Sequence, residues 1–263
     1  MPADNPGMLA KASSRGCDAL ILDLEDAVAP ANKVAARAAA IEYAAAASSD
    51  SPAVWVRVND GDLGLDDVRA VAGAPGVAGI WFPKAEPGPW LEEALALAGS
   101  TRVGLLIESA AGVARLAQFP TLPEDTLVQP GEMDLAASLG IASREDQLLV
   151  FRSMIVAECA ARGLPAPLAP VAPGWGDLPE YRAQSQRLKE WGFVGRACIH
   201  PAQVAEANEV WSVTHDELMR ARAIVDEFEA HEAQGVGAFR GADGAMVDRA
   251  TVRWARSVVA RGI

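Results

Sequence analysis

The sequence predicts a (β/α)8 barrel on three observations. Short apolar runs alternate with Ala-, Leu- and Glu-rich stretches whose apolar positions recur at helical spacing, the signature of a parallel sheet. The length, 263 residues, matches the roughly 250 typical of such barrels. Most apolar runs also end in charged or polar residues, and in a parallel barrel those ends share the face where active sites are built. An open, doubly wound sheet fits the alternation as well. It is weakened because no GxGxxG or GxxxxGK[ST] follows any run.

Taken in order, residues 19–24, 54–58, 79–82, 103–107, 126–129 and 196–199 each have the length of a buried strand, with a weaker candidate at 168–171. Helices are expected at 32–47, 90–97, 144–162 and 181–191. The Pro- and Gly-rich segment 163–176 reads as a long loop over the barrel mouth. A charged helix is expected at 214–233, a Gly-rich link at 235–244 and a last helix at 249–261. The expected division is therefore a barrel over 1–234 and a C-terminal extension over 235–263, packing on the barrel or on a neighbouring subunit. Seven strand candidates are one short of a closed barrel, so the first strand is expected to be missing or truncated at the N-terminus.

An apolar fraction of 51 % supports a sizeable core, and no apolar run approaches the ~18 residues that cross a bilayer. With no leader or transit pattern at the start, the expectation is a soluble, cytoplasmic protein. Cys17, Cys159 and Cys198 form no CxxC pair, which fits reduced thiols. A formal charge of −12, from 35 acids and 23 bases, disfavours nucleic acid and anionic membranes as partners and favours a small molecule. An anionic substrate would then need local cationic or metal charge.

The polar residues that close the runs are Glu25 and Asp26, Arg57 and Asn59, Lys84, Glu108, the stretch Gly131 to Asp134, and His200. Glu108 and Asp134 follow adjacent strands and can aim two hard oxygen ligands at one place, which suits Mg²⁺. Equally, Glu108 can pair with Lys84 or Arg57, and Asp134 can simply favour a helix N-terminus. Arg57, in an otherwise apolar strand, needs an anion. A substrate carboxylate, Glu25 and Asp23 are all open to it. Lys84 can form a Schiff base with a carbonyl or an ion pair to Glu25 or Glu108, and the ion pair is preferred. His200 before Pro201 reads as a helix entry.

Ordered stretches along the chain resemble the citrate lyase β-subunit-like (CitE-like) branch of the HpcH/HpaI aldolase family. They include ADNPGMLAKA (3–12), ALILDLEDAV (19–28), VRVN (56–59), PK (83–84), IESAAG (107–112), GEMDL (131–135), CIHPAQV (198–204) and MVDR (246–249). The resemblance implies a Mg²⁺-binding TIM barrel, trimeric or hexameric, with Glu108 and Asp134 as metal ligands. It implies that Arg57 holds the carboxylate of a keto-acid fragment, with Glu25, Asp26 and Lys84 around the substrate. Asp248 would serve as acid/base from a neighbouring subunit. The implied activity is carbon–carbon cleavage or formation in a β-hydroxyacyl-CoA such as malyl-, citramalyl- or citryl-CoA, with thioesterase activity in some relatives. The chain departs from the family pattern at Met133, which stands where many members have Glu, in the loop 164–173, and at Gly195-Arg196. Met1 stands where the family's first strand leads into a Val-Pro segment, so the natural start is expected upstream. Two alternatives remain: a CoA-independent class II pyruvate aldolase, which tends to carry Glu-His in place of Glu25-Asp26, and a non-catalytic CoA-ester-binding or complex subunit.

Overall fold

The computed structural model describes residues 1–241 and 244–262. Residues 242, 243 and 263 of the expected extension lie outside the described residues. The chain divides into two compact units, Met1–Val210 and Trp211–Ile263, which are described separately.

The first unit opens with the short helix α1 (Pro6–Leu9) and then alternates: β1 (Ala19–Asp23), α2 (Lys33–Ala46), β2 (Ala53–Arg57), α3 (Gly61–Val71), β3 (Val77–Phe82), α4 (Pro89–Ala98), β4 (Arg102–Ile107), α5 (Ala110–Ala114), β5 (Leu127–Pro130) and α6 (Glu132–Leu139). The helices α7 (Glu145–Arg162), α8 (Leu178–Glu190) and α9 (Pro201–Trp211) follow. The five strands pair in parallel in the order β1-β2-β3-β4-β5. This sheet curls into half a barrel.

Three further stretches extend the run without forming strands. Met1–Ala3 lies along β1, with the Asp23 amide donating to Met1 O at 2.8 Å and the Ala3 amide to Asp23 O at 3.0 Å. At the other edge the Leu168 amide reaches Val128 O (2.9 Å), and the Ala169 amide reaches Gly195 O (2.8 Å). The strands expected at 168–171 and 196–199 are thus reduced to a single bridge, Ala169 to Arg196. The cause is proline: Pro165, Pro167 and Pro170 have no N–H to give a ladder. With these stretches the barrel has eight positions in pairing order. Asn208 of α9 donates to Gly16 O at 2.8 Å, joining the helix after the eighth position to the loop before β1.

Alternation along the strands sorts the side chains onto two faces. Leu22, Leu24, Val54, Val56, Val58, Ile80, Phe82, Val103, Leu105, Ile107 and Val128 face outward and pack with the buried faces of the helices in one core. Among the partners are Ala36, Ala40 and Ala44 of α2, spaced one helical turn apart. Each fully buried Leu or Phe stabilises this layer by about 1.5–3 kcal/mol. The inner face carries a second cluster, Trp55, Trp81 and Leu106, with Ile21, Leu127 and Leu168 against it. The indoles fit because the next strand has glycine opposite: a Cβ on Gly79 would lie 2.2 Å from Trp55, and one on Gly104 2.5 Å from Trp81. Two residues further along β1, β2 and β4, the same face presents Asp23, Arg57 and Glu108. An apolar floor therefore lies beneath a charged layer.

In the second unit α10 (His215–Glu232) begins with a capping box between Thr214 and Glu217. A hairpin, β6 (Ala238–Arg240) with β7 (Met246–Asp248), leads into α11 (Arg249–Arg261). The first strand of the hairpin stands within the segment 235–244 expected to be a Gly-rich link, and the second lies just beyond it. Within this unit Ala221 of α10 is fully buried against Ala255 and Val258 of α11. Among the described residues no helix is long and apolar enough to cross a membrane.

Candidate active site

The charged layer at the strand ends is a connected set of ion pairs. Arg57 grips Asp23 with both arms of its fork, Nε to Oδ1 and Nη2 to Oδ2, each at 2.6 Å. Its Nη1 lies 3.1 Å from Glu25 Oε2. Glu25 is buried and is shared with Lys84, whose Nζ is 2.9 Å from Oε1. Asp23 is fixed further by the amides of Glu25 (3.0 Å) and Ala27 (3.1 Å). Burial works to raise the Asp23 carboxyl, but the Arg57 guanidinium outweighs it and holds the group below its ordinary value. Burial pushes Glu25 up despite its two cations. Lys84 is raised well above its usual range, chiefly by its hydrogen bond to Glu25. A Schiff-base lysine needs the opposite shift.

Glu108 directly follows β4 and is buried, 5 % exposed. Its Oε1 accepts the Lys84 amide at 2.7 Å, an amide presented by left-handed backbone (φ 47°) rare outside glycine. Its Oε2 lies against Gly131 and has no hydrogen bond among the described residues. Burial, with the charges of Glu25 and Asp134, pushes the Glu108 carboxyl up to about 7. Asp134 stands exposed in the first turn of α6, close enough to Glu108 for its charge to be felt there. Among the described residues no group of three or more His, Cys, Asp or Glu is placed to hold a metal. The donor set is thus two hard carboxylates, one on a buried residue and with an oxygen that takes no hydrogen bond among the described residues. That fits Mg²⁺, which often takes one or two protein carboxylates and fills its octahedron with water and substrate.

Of the residues singled out from sequence, Glu25, Arg57, Lys84 and Glu108 are brought together directly, and Asp134 electrostatically. Asp26 is exposed beside Glu25. Asp248 lies in the second unit as the N-cap of α11, accepting the amides of Ala250 and Thr251 at 2.9 Å each. His200 is a helix entry, as its Pro-containing context suggests: Nδ1 accepts the Ala202 amide at 3.2 Å, and the ring stacks on Trp175 at 4.7 Å. Two supports escaped the sequence reading. Glu132 pairs through both oxygens with the buried Arg152 of α7, bracing the first turn of α6. Asp67 of α3, fully buried, accepts from Arg37 (2.6 Å) and from the Asn59 amide (3.0 Å), fixing the end of β2. The only sequence signal for either was an acid inside an otherwise apolar helical face.

Residues 1–201 match the HpcH/HpaI aldolase/citrate lyase family, and residues 184–263 match the carbon–carbon bond lyases of the TIM-barrel fold. The chain belongs to the HpcH/HpaI aldolase/citrate lyase family. A (3S)-malyl-CoA thioesterase of Cereibacter sphaeroides is 31% identical over 99% of this chain and 92% of its own length. An L-malyl-CoA/beta-methylmalyl-CoA lyase of Rhodobacter capsulatus is 30% identical over 98% and 91%. Among solved structures, the protein CitE of Mycobacterium tuberculosis in complex with magnesium, acetoacetate and coenzyme A superposes with a TM-score of 0.78. It is 29% identical and covers 100% of this HpcH/HpaI chain and 96% of its own.

Proposed function

We propose that this chain is a Mg²⁺-dependent carbon–carbon lyase acting on a β-hydroxyacyl-CoA of the malyl-, citramalyl- or citryl-CoA type. The observation that carries the reading is Glu108, a buried carboxylate with one free oxygen, set between Asp134 and the Arg57 cluster in a member of this family. The relatives named as malyl-CoA enzymes and the CitE complex with magnesium and coenzyme A support it. Glu108 and Asp134 would hold the ion. When bound, Mg²⁺ supplies Lewis acidity to the oxygen that becomes a carbonyl.

In the cleavage direction the bond between the hydroxyl-bearing carbon and the α-carbon breaks. The hydroxyl proton passes to a base, and the bonding pair moves onto the thioester as an enolate, which then takes a proton. Arg57 offers the substrate carboxylate the two of its five N–H groups that Asp23 and Glu25 leave unused. Glu25, itself paired with Lys84, holds that guanidinium in place. Asp248 is the acid/base, supplied by a neighbouring copy in a homotrimer or homohexamer. The Thr251 amide and hydroxyl, with the Ala250 amide, keep it below its ordinary value and so ionised, the state a base requires. Incubation with malyl-, citramalyl- and citryl-CoA, with and without EDTA, tests the reading by mass spectrometry. A keto acid or aldehyde plus a shorter acyl-CoA, formed only without EDTA, is expected. Release of free CoA with an intact hydroxy acid would assign a thioesterase, and turnover of none of the three would reject the substrate class.

A further inference from the structure

We propose that Gly131 is the positioning residue that sets the gap between the two carboxylates and thereby selects a small divalent cation. The inference rests on Glu108 and Asp134 being the metal ligands. Gly131 sits between them in the chain path, as the N-cap of α6, and in space it touches Glu108. A Cβ added there would lie 2.3 Å from Glu108 Oε2 and 2.6 Å from Glu108 Cβ. Turning the Glu108 carboxylate away relieves the first contact and leaves the second, so the end of β4 and the start of α6 would have to separate. Gly131 is also tied on both sides. Its amide donates to Ile107 O at 3.0 Å, next to Glu108, and its carbonyl accepts the Leu135 amide at 3.0 Å, in the turn that carries Asp134. Its φ of −97° is open to any residue, so glycine is required here by the approach of Glu108 and not by backbone conformation.

On the far side of the carboxylate, the Lys84 amide holds Oε1 at 2.7 Å. Lys84 is the one non-glycine residue at positive φ among those described, a conformation that costs about 1–3 kcal/mol unless its surroundings impose it. Glu108 is therefore fixed by an amide on one oxygen and by the bare Cα of Gly131 on the other. Its other oxygen lies against Gly131, whose carbonyl anchors the turn that carries Asp134, so the Gly131 contact sets how closely the two carboxylates approach. Mg²⁺ needs oxygens at roughly 2.0–2.1 Å in a rigid octahedron, whereas Ca²⁺ accepts roughly 2.3–2.6 Å in a looser shell. Widening the gap penalises the smaller ion first.

Calorimetric titration of the full chain with Mg²⁺ and with Ca²⁺, for the native protein and Gly131→Ala, tests this. Gly131→Ala should weaken Mg²⁺ by about tenfold or more and Ca²⁺ by about threefold or less, lowering the Mg²⁺/Ca²⁺ preference. A purely structural glycine would leave both affinities of the folded protein alone, and that result overturns the proposal. If the native protein binds no Mg²⁺, the metal reading itself falls, an outcome distinct from native binding that Gly131→Ala leaves unchanged. Melting of the metal-free proteins covers the case in which Gly131→Ala folds poorly. The alanine should lower Tm in the native background and be neutral in a Glu108→Gly background, where no Cβ opposes it. An equal loss in both backgrounds contradicts the contact on which the proposal stands.

Discussion

Glu108 is a buried carboxylate with acids for neighbours, and burial together with those charges pushes its carboxyl up to about 7. Its folded value lies above its ordinary value, so in the metal-free protein its contribution to stability is full below about 4.5 and is lost as pH rises through 7. Mg²⁺ requires the ionised form, so its affinity should run the other way. It should strengthen about tenfold per pH unit below 7, then level off, with a proton released per ion at the low end. Calorimetry in buffers of different ionisation enthalpy reads both quantities. Glu108→Gln and Asp134→Asn should each weaken Mg²⁺ by at least about tenfold without unfolding the chain, and unchanged binding in both would remove the pair as ligands. Arg57 has a double duty, since it neutralises Asp23 and Glu25 before any substrate arrives. Arg57→Ala should therefore lower stability by about 3–5 kcal/mol as well as remove turnover, measurable by urea unfolding. Lys84, raised well above its usual range, should give no borohydride-trapped adduct with a keto acid.

At the scale of the elements, Glu132 of α6 pairs with the buried Arg152 of α7, and Asp134 stands in the same first turn as that brace. Glu132→Ala leaves Arg152 buried with no bidentate partner and should cost about 3–5 kcal/mol; the double variant Glu132→Leu/Arg152→Met should recover most of it. Mg²⁺ affinity should fall in the single variant, and a full-strength site there would show that α6 needs no brace. This pair was invisible in the sequence because Arg152 takes the place of an apolar residue in the series Leu148, Ile155, Cys159, and period alone reads it as a surface charge. The five strands were legible because each centres on a short apolar run of strand length. The stretches at 168–171 and 196–199 were over-read: their apolar character is real, but the prolines around the first leave too few amides for a ladder. The β6–β7 hairpin was under-read, being three residues a side and largely exposed, with no apolar alternation to betray it.

At the scale of the whole molecule, alternation along parallel strands lifts Asp23, Arg57 and Glu108 onto one charged layer above a tryptophan floor. Most of the candidate site was readable because those residues close apolar runs. Asp23 was legible as a partner of Arg57, whereas the role of Gly131 was not, since it arises from a contact between strand ends that spacing does not encode. Asp248, in the second unit, is proposed to complete the site of a neighbouring copy. Asp248→Ala should abolish turnover while leaving Mg²⁺ affinity intact, and mixing it with Arg57→Ala subunits should restore part of the activity if neighbouring copies complete the site. The most direct test of the central claim is cleavage of malyl-CoA by the Mg²⁺-loaded protein in D₂O, read by mass spectrometry of the acyl-CoA product. Carbon–carbon cleavage through an enolate predicts acetyl-CoA carrying a single deuterium in its methyl group, together with glyoxylate. Malate and free CoA, with no deuterium on carbon, would contradict it.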